Sequence, residues 1–482
     1  MKRIVLYILT SLACLGIWQS CIDDESVGVI RELSLIHIEA AQDTFYVDFG
    51  LDSKIEASIT QSGEGNMTYE WSWGAVNDAG KIVDSLQVIS KDPVLHYAFR
   101  KLGQFKVRLR VTNEDGSGFY YFHLFVRTPF QEGLLVLSEN ENHVGRTSFL
   151  RTKGPQDVVT GEEEFMLNAC EEVNPEIVLN HPRDVSWYKQ KLLVISDGGK
   201  VIHEYDKVTF DYLNSIRVDQ EYSEASLRAF VLVENSPVYK SLAWGGDKKI
   251  WSIDYELGLV TPNTGSFTEE KYDKVYFQGG RNALFVNFEE SYLNHVFSVS
   301  FPNQRFSSDE IFKGQYIVNF MADEGNRLHV ITTDPENPLS VTITYFDDMT
   351  ARAGLFNYKG AFQNPKTSSY LATQPITLTR ETVMLTNNTY YLTFYAEGNK
   401  LYEWIYKGFT LPETPLMTLD GEITCMQLSS DEKYVYLGIW NPGAEEELKG
   451  SIYILEMDTK KIVREYRGVA DKPLKIFYKK DS

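Results

Sequence analysis

The chain is poor in cysteine, in positive charge, in long apolar runs and in the short motifs that mark common catalytic chemistry. Of its 482 residues only Cys14, Cys21, Cys170 and Cys425 are cysteines, too few for a disulfide-framed scaffold. Cys170 and Cys425 have no informative spacing and read as two small buried hydrophobes, with pairing left open. The eight histidines, at 37, 96, 123, 143, 181, 203, 295 and 329, stand singly. With no His-Glu-x-x-His helix and no Cys-x-x-Cys pair, zinc catalysis has no support, and neither a metal nor another cofactor is expected. Gly-x-Ser-x-Gly, P-loop and EF-hand patterns are missing as well, which removes the commoner hydrolase, nucleotide and calcium classes. Lysine and arginine number 47 against 67 acids, a formal charge of −20. Such a surface repels nucleic acid and anionic membrane.

What is present is aromatic and strand-forming. Tyrosine (29) and phenylalanine (27) outnumber tryptophan (8), and with many Val, Ile and Thr residues they favour pleated, half-buried strands. The length suggests two to four domains with ample cores. At the start, Lys2 and Arg3 precede an uncharged apolar segment, Ile4 to Ile17. This falls short of the roughly 20 residues of a membrane span and reads as a secretory leader. Ser20 stands before Cys21, and Asp23, Asp24 and Glu25 follow. Cys14, the rival acceptor, would cut the apolar segment in half. The arrangement resembles the lipoproteins of Bacteroidetes-type bacteria, in which an acidic run after the lipidated cysteine marks export to the cell surface. The resemblance implies lipidation at Cys21, a surface-export signal at Asp23, Asp24 and Glu25, and the extracellular face of the outer membrane. Loss of Lys2 and Arg3 with the leader takes the charge from −20 to −22.

Residues 1–20 are thus expected to be the signal peptide and 21–34 a tether, with a β-sandwich over 35–128 and a β-propeller over 129–482. In the first unit, strand-like runs at 44–49, 54–60, 67–73, 94–99, 104–112 and 118–126 are separated by turn residues. Tyr69, Trp71 and Trp73 alternate on one face, and Phe105, Val107, Leu109 and Val111 on another. Asn113 to Gly116 form a hairpin turn. The runs Tyr69 to Gly74 and Gly103 to Asn113, with Tyr97 between them, resemble the polycystic-kidney-disease (PKD) type of immunoglobulin-like domain. Ala75, Val76, Asn77 and Asp78 replace that family's usual Asp-Gly pair.

Beyond Phe130 short strands recur with a period of about fifty residues, which places them near the upper end for propeller blades and fits seven blades best. One copy reads Arg183 to Tyr188, Lys191 to Ser196, a turn at Asp197-Gly198-Gly199, and Lys200 to Tyr205. The last runs from Glu422 to Tyr466 and is similar to the blades of secreted and periplasmic propellers. The segment near Gly133 is expected to complete the blade made by the C-terminal strands, and Asn357 to Pro375 to form a loop.

Loops between second and third strands, and between blades, gather at one mouth of a propeller. That puts Asp197, Tyr255, Asp334 and the insertion Asn441 to Lys449 on one candidate ligand face. In the insertion Glu445, Glu446 and Glu447 lie beside Trp440, a combination suited to a cationic or amphipathic ligand such as a peptide. Asp84-Ser85-Leu86 matches a short O-glycosylation pattern.

Leader, lipid cysteine, acidic run, PKD-like unit and propeller together resemble the PKD-like family lipoproteins of Bacteroidetes. The resemblance implies a non-catalytic accessory subunit beside a SusC-like transporter and its SusD-like lipoprotein lid, binding peptide or glycan. The competing classes are a glycosidase- or lyase-like propeller enzyme using Asp184, Asp197 and Asp334, and an adhesin for a host protein.

Overall fold

The computed structural model describes residues 32–479 apart from 78, 131, 154–163, 233–240, 264–270, 280–281, 297–304, 309, 324–326, 348–352, 355–356, 359–361 and 363. The leader, Cys14, Cys21, Asp23, Asp24 and Glu25 lie outside the described residues. Among those described, no helix is long and apolar enough to cross a membrane, and the α-helical structure is one short turn at Ala169–Val173. The chain divides into two compact units, one of the residues up to Val47 with Asp52–Val126, the other of Asp48–Leu51 with the chain from Arg127 on.

The first unit is built on a five-stranded antiparallel sheet in the order Thr44–Asp48, Ser117–Arg127, Gly103–Thr112, Thr68–Ala75, Gln87–Ser90. Two further strand pairs, Ile36–Glu39 with Ser58–Gln61 and Asp52–Ile55 with Leu95–Ala98, accompany it. Alternation fixes which side chains turn inward. Trp71, Val107, Leu109, Val111 and Phe122 are buried. The indole N–H of Trp71 donates to Asp92 O at 2.8 Å, and its ring lies over Phe122 at 5.7 Å. The Asn113 carboxamide oxygen accepts the amides of Asp115 and Gly116, each at 3.0 Å, which sets the long hairpin's turn.

In the second unit the described residues form seven four-stranded antiparallel sheets and one small hairpin. Sheet I comprises Glu132–Glu139, Gly145–Lys153, Met166–Leu167 and the C-terminal strand Lys472–Lys479. Sheets II to VII follow in chain order at 184–217, 227–262, 274–307, 316–371, 384–418 and 422–470. Second strands such as Leu192 to Ile195 and Val435 to Ile439 lie almost wholly buried, because both faces are covered by neighbouring sheets. In sheet I, Leu135 and Leu137 pack toward sheet II while Leu134 and Val136 pack toward sheet VII. Five further apolar clusters join the sheets in between, so the sheets close a circle. Each fully buried Leu, Ile or Val there contributes roughly 1.5–3 kcal/mol.

Two sequence expectations are corrected. The sheet at 422–470 already has four strands, so the Gly133 segment does not complete it. Instead Lys472–Lys479 leaves that sheet and pairs antiparallel with Glu132–Glu139. Lysines at 472, 475 and 479 mask this strand in the sequence. The polar stretch expected as a loop contains a strand too: Lys366–Leu371 pairs with Ser340–Phe346 as the outer strand of sheet V. Cys170 and Cys425 are separate buried thiols in different clusters, and burial pushes both well above the ordinary range, Cys425 to about 12.

Candidate functional site

The first strands of successive sheets touch, Asp184–Tyr188 meeting both Leu227–Leu232 and the C-terminal strand, so they form the inner wall of the circle. From that order, turns between second and third strands share one edge with the connections between sheets. Turns between third and fourth strands lie on the opposite edge.

Asp197 occupies the former edge, in the tight turn Asp197–Gly199 with a left-handed φ of 50°. Asp334 holds the equivalent place in sheet V, exposed, with its carboxylate accepting the amide of Glu336 at 2.8 Å. The insertion 441–449 projects from the same edge of sheet VII. Lys449 ties it by donating its ammonium to the carbonyls of Ala444 (2.7 Å) and Glu446 (2.8 Å). Glu445 and Glu447 are exposed and Glu446 is half-buried. Trp440 is not a free platform for a cationic ligand, because Lys472 of this chain already lies over its ring at 4.4 Å. Tyr255 is a clear correction. It follows the third strand of sheet III, which puts it on the opposite edge, where it stacks on Tyr188 at 4.3 Å and burial raises its phenol. Which edge a turn faces depends on its place in the strand order of its sheet, and Tyr255 lies between the third and fourth strands. Asp84, Ser85 and Leu86 lie in the turn region before Gln87–Ser90 of the first unit.

Among the described residues three cavities open along the shared edge, none of them evident in the sequence. The first, about 580 Å³, is lined by Arg183, Glu224, Ser226, Arg228, Gly246 and Asp247, where sheet II meets sheet III. A second, about 530 Å³, gathers Glu381, Glu397, Glu422 and Lys472 between sheets VI and VII. The third, about 210 Å³, adjoins it between sheets V and VI. Its wall holds Tyr395 and Tyr402, stacked at 4.9 Å and 3°. The Tyr402 hydroxyl donates to Glu397 at 3.1 Å, Tyr395 donates to Pro412 O at 3.3 Å, and Tyr370 accepts the Leu411 amide at 3.1 Å. The edge thus offers a cleft lined by two arginines and two acids and, across the circle, one lined by tyrosines, carboxylates and Lys400.

Inside the circle the acids and bases are engaged. Asp184 is buried; it accepts the amides of Phe230 (2.8 Å) and Val185 (2.9 Å) and pairs with Lys475 of the closing strand. A carboxylate so saturated holds strands together rather than standing ready for proton transfer. Lys274 faces Asn319, its ammonium 3.2 Å from the carboxamide oxygen. Burial pushes it down to about 8, partly offset by Glu381. No motif announces this lysine.

No protein-family model and no curated protein matches the sequence. Among solved structures, a quinoprotein alcohol dehydrogenase-like protein of Bacteroides thetaiotaomicron aligns over 90% of this chain and 96% of its own, with a TM-score of 0.52 and 13% identity. The Cps50 (Swd1) β-propeller domain of Myceliophteria thermophila aligns over 61% of this chain and 88% of its own (TM-score 0.38, 10% identity). Hsv2 of Kluyveromyces lactis aligns over 59% and 78% (TM-score 0.35, 11% identity). The first likeness and the circle of four-stranded sheets define the class: an all-β protein containing a β-propeller. The likeness extends to the fold alone.

Proposed function

We propose that this chain is a lipid-anchored binding subunit on the outer face of the outer membrane, with a PKD-like sandwich near the anchor and a seven-bladed propeller as the recognition body. Its ligand is a peptide or glycan, and its partners are a SusC-like transporter and SusD-like lid. The observation that carries the reading is the shared edge with its separate polar clefts, one offering paired guanidinium and carboxylate groups and the other carboxylates and tyrosine hydroxyls. Such a surface suits a polar polymer held at several points, each adding modest affinity. The export signals of the sequence support the setting, and the fold likeness supports the propeller body. A binding role is favoured over hydrolysis because Asp184, one of the three acids considered for catalysis, is committed to the closing strand.

The test is an array of glycans and peptides probed with the mature protein and two double variants. These are Arg183→Ala with Arg228→Ala in the cleft between sheets II and III, and Glu397→Ala with Glu413→Ala, two acids that line the cavity between sheets V and VI. Specific binding weakened at least tenfold by one pair supports the reading. No binding by the parent protein, with no SusC-like or SusD-like protein recovered from solubilised outer membrane, overturns it.

A further inference from the structure

Two histidines that the sequence scatters are brought together beside a half-buried carboxylate. Glu139 ends the strand Glu132–Glu139, His143 lies in the hairpin tip that follows, and His181 lies in the connection to sheet II. Backbone hydrogen bonds stitch these segments. The amide of His181 donates to His143 O at 2.7 Å, that of Gly145 to Leu179 O at 2.6 Å, and that of His143 to Asn140 O at 2.9 Å. The Asn140 carboxamide oxygen also accepts the amides of Asn142 (2.9 Å) and Val144 (3.0 Å). Both histidines take a left-handed backbone, with φ of 61° and 42°, a conformation uncommon outside glycine and one that tertiary structure must impose. The outcome is a pair of imidazoles stacked at 4.4 Å and 22° against one acid. His143 Nδ1 is 3.2 Å and His181 Nδ1 3.9 Å from Glu139 Oε1.

We propose that Glu139, His143 and His181 form a binding site for a divalent first-row transition ion of the zinc class. One ligand atom from each residue lies within 4.8 Å of the others. Around a tetrahedral zinc with bonds near 2.1 Å, ligand atoms stand about 3.4 Å apart. The carboxylate-to-imidazole distances bracket that value, and rotation of the imidazoles about their side-chain torsions closes the remainder. Two imidazole nitrogens and one carboxylate oxygen form a borderline donor set, which suits zinc, cobalt or nickel and discriminates against calcium and magnesium. Glu139 Oε1 is shut off from solvent and accepts no hydrogen bond, facing the imidazoles instead. Its side chain is 17% exposed, whereas His143 and His181 are 58% and 48% exposed. A metal would thus be anchored from below and keep coordination positions open to the outside, as exchangeable or ligand-capturing sites do and closed structural ones do not. The site shares its edge with the Asp197 turn, whose Gly198 amide donates to His181 O at 3.3 Å. It stands independently of the ligand reading above.

The experiment is calorimetric titration of chelator-stripped mature protein, free of any histidine tag, with zinc chloride. One equivalent binding at micromolar or tighter affinity is expected. His143→Asn and His181→Asn keep a residue that tolerates the left-handed backbone, and each is expected to weaken binding at least tenfold; Glu139→Gln is expected to do the same. Cobalt(II) added to the parent protein gives a second reading that needs no variant, since visible ligand-field absorption displaced by one equivalent of zinc supports the site. Absence of stoichiometric zinc binding by the folded parent protein, or binding unchanged in both histidine variants, overturns the proposal.

Discussion

The closing strand offers the sharpest test of how the second unit is held together. Lys472–Lys479 makes seven register pairs with Glu132–Glu139. It also packs against the first two strands of sheet VII and the first strand of sheet II. Ile476 is 1% exposed and sits in a cluster with Leu134, Val136, Tyr436 and Ile452. Truncating a buried isoleucine to alanine costs about 2–5 kcal/mol, a large part of a domain stability of about 5–15 kcal/mol. Ile476→Ala is therefore expected to retain the fold but lower the melting temperature of this unit by roughly 5–10 °C. Deleting 472–479 goes further, since it removes the Tyr478 to Glu132 bond (2.6 Å) and the Lys475 to Asp184 pair and leaves Glu132–Glu139 as an open sheet edge. No cooperative transition is expected from that deletion, with protease sensitivity spread through the unit. Circular dichroism melts and limited proteolysis of parent, point variant and deletion provide the assay. A deletion variant that melts cooperatively within a few degrees of the parent would refute the account of closure.

Three other outcomes follow from particular contacts. Asp184→Ala leaves Lys475 without its carboxylate and the Phe230 amide without its acceptor, and is expected to cost about 3–5 kcal/mol, with Lys475→Met milder; chemical denaturation of the two variants decides it. His295 and His329 are buried, and desolvation pushes both down to about 4 from 6.5. Folded they stay neutral while the unfolded chain takes up protons below 6.5, so stability present above that pH is lost as pH falls toward 4. At pH 5 the two together cost about 4 kcal/mol, and His295→Leu with His329→Phe is expected to flatten stability between pH 7 and 5; an unchanged slope contradicts this. In the first unit, Trp71→Ala is expected to cost about 3–5 kcal/mol, read as a lowered unfolding midpoint for that unit with that of the second unit unmoved.

The strands were legible wherever local pattern decides them. Alternation at Trp71 and Trp73, the Asn113 turn and the apolar second strands of the later sheets all follow from side-chain period and turn chemistry. What escaped was non-local. The strand Lys472–Lys479 is disguised by lysines whose ammonium groups reach Asp184 and the Phe130 carbonyl, partners far away in the chain. Tyr255 was placed on the wrong edge because which turn faces which way depends on counting strands within a unit, and an error of one inverts the answer. The histidines at 143 and 181 looked solitary, since only the stitching of a hairpin tip to a connection brings them together. The cavities were invisible for the same reason, each being assembled from neighbouring sheets.

The pairing of Gly133 with Lys479 sets an order of events. Until Lys472–Lys479 has been synthesised, the second unit is a row of sheets with two raw ends, exposing Leu134 and Val136 on one and Tyr436 and Ile452 on the other. Any premature stop or C-terminal clipping yields an incomplete product with both ends sticky. Closure of this unit waits on Lys472–Lys479, and an insertion placed in that strand interferes with the step on which the rest depends.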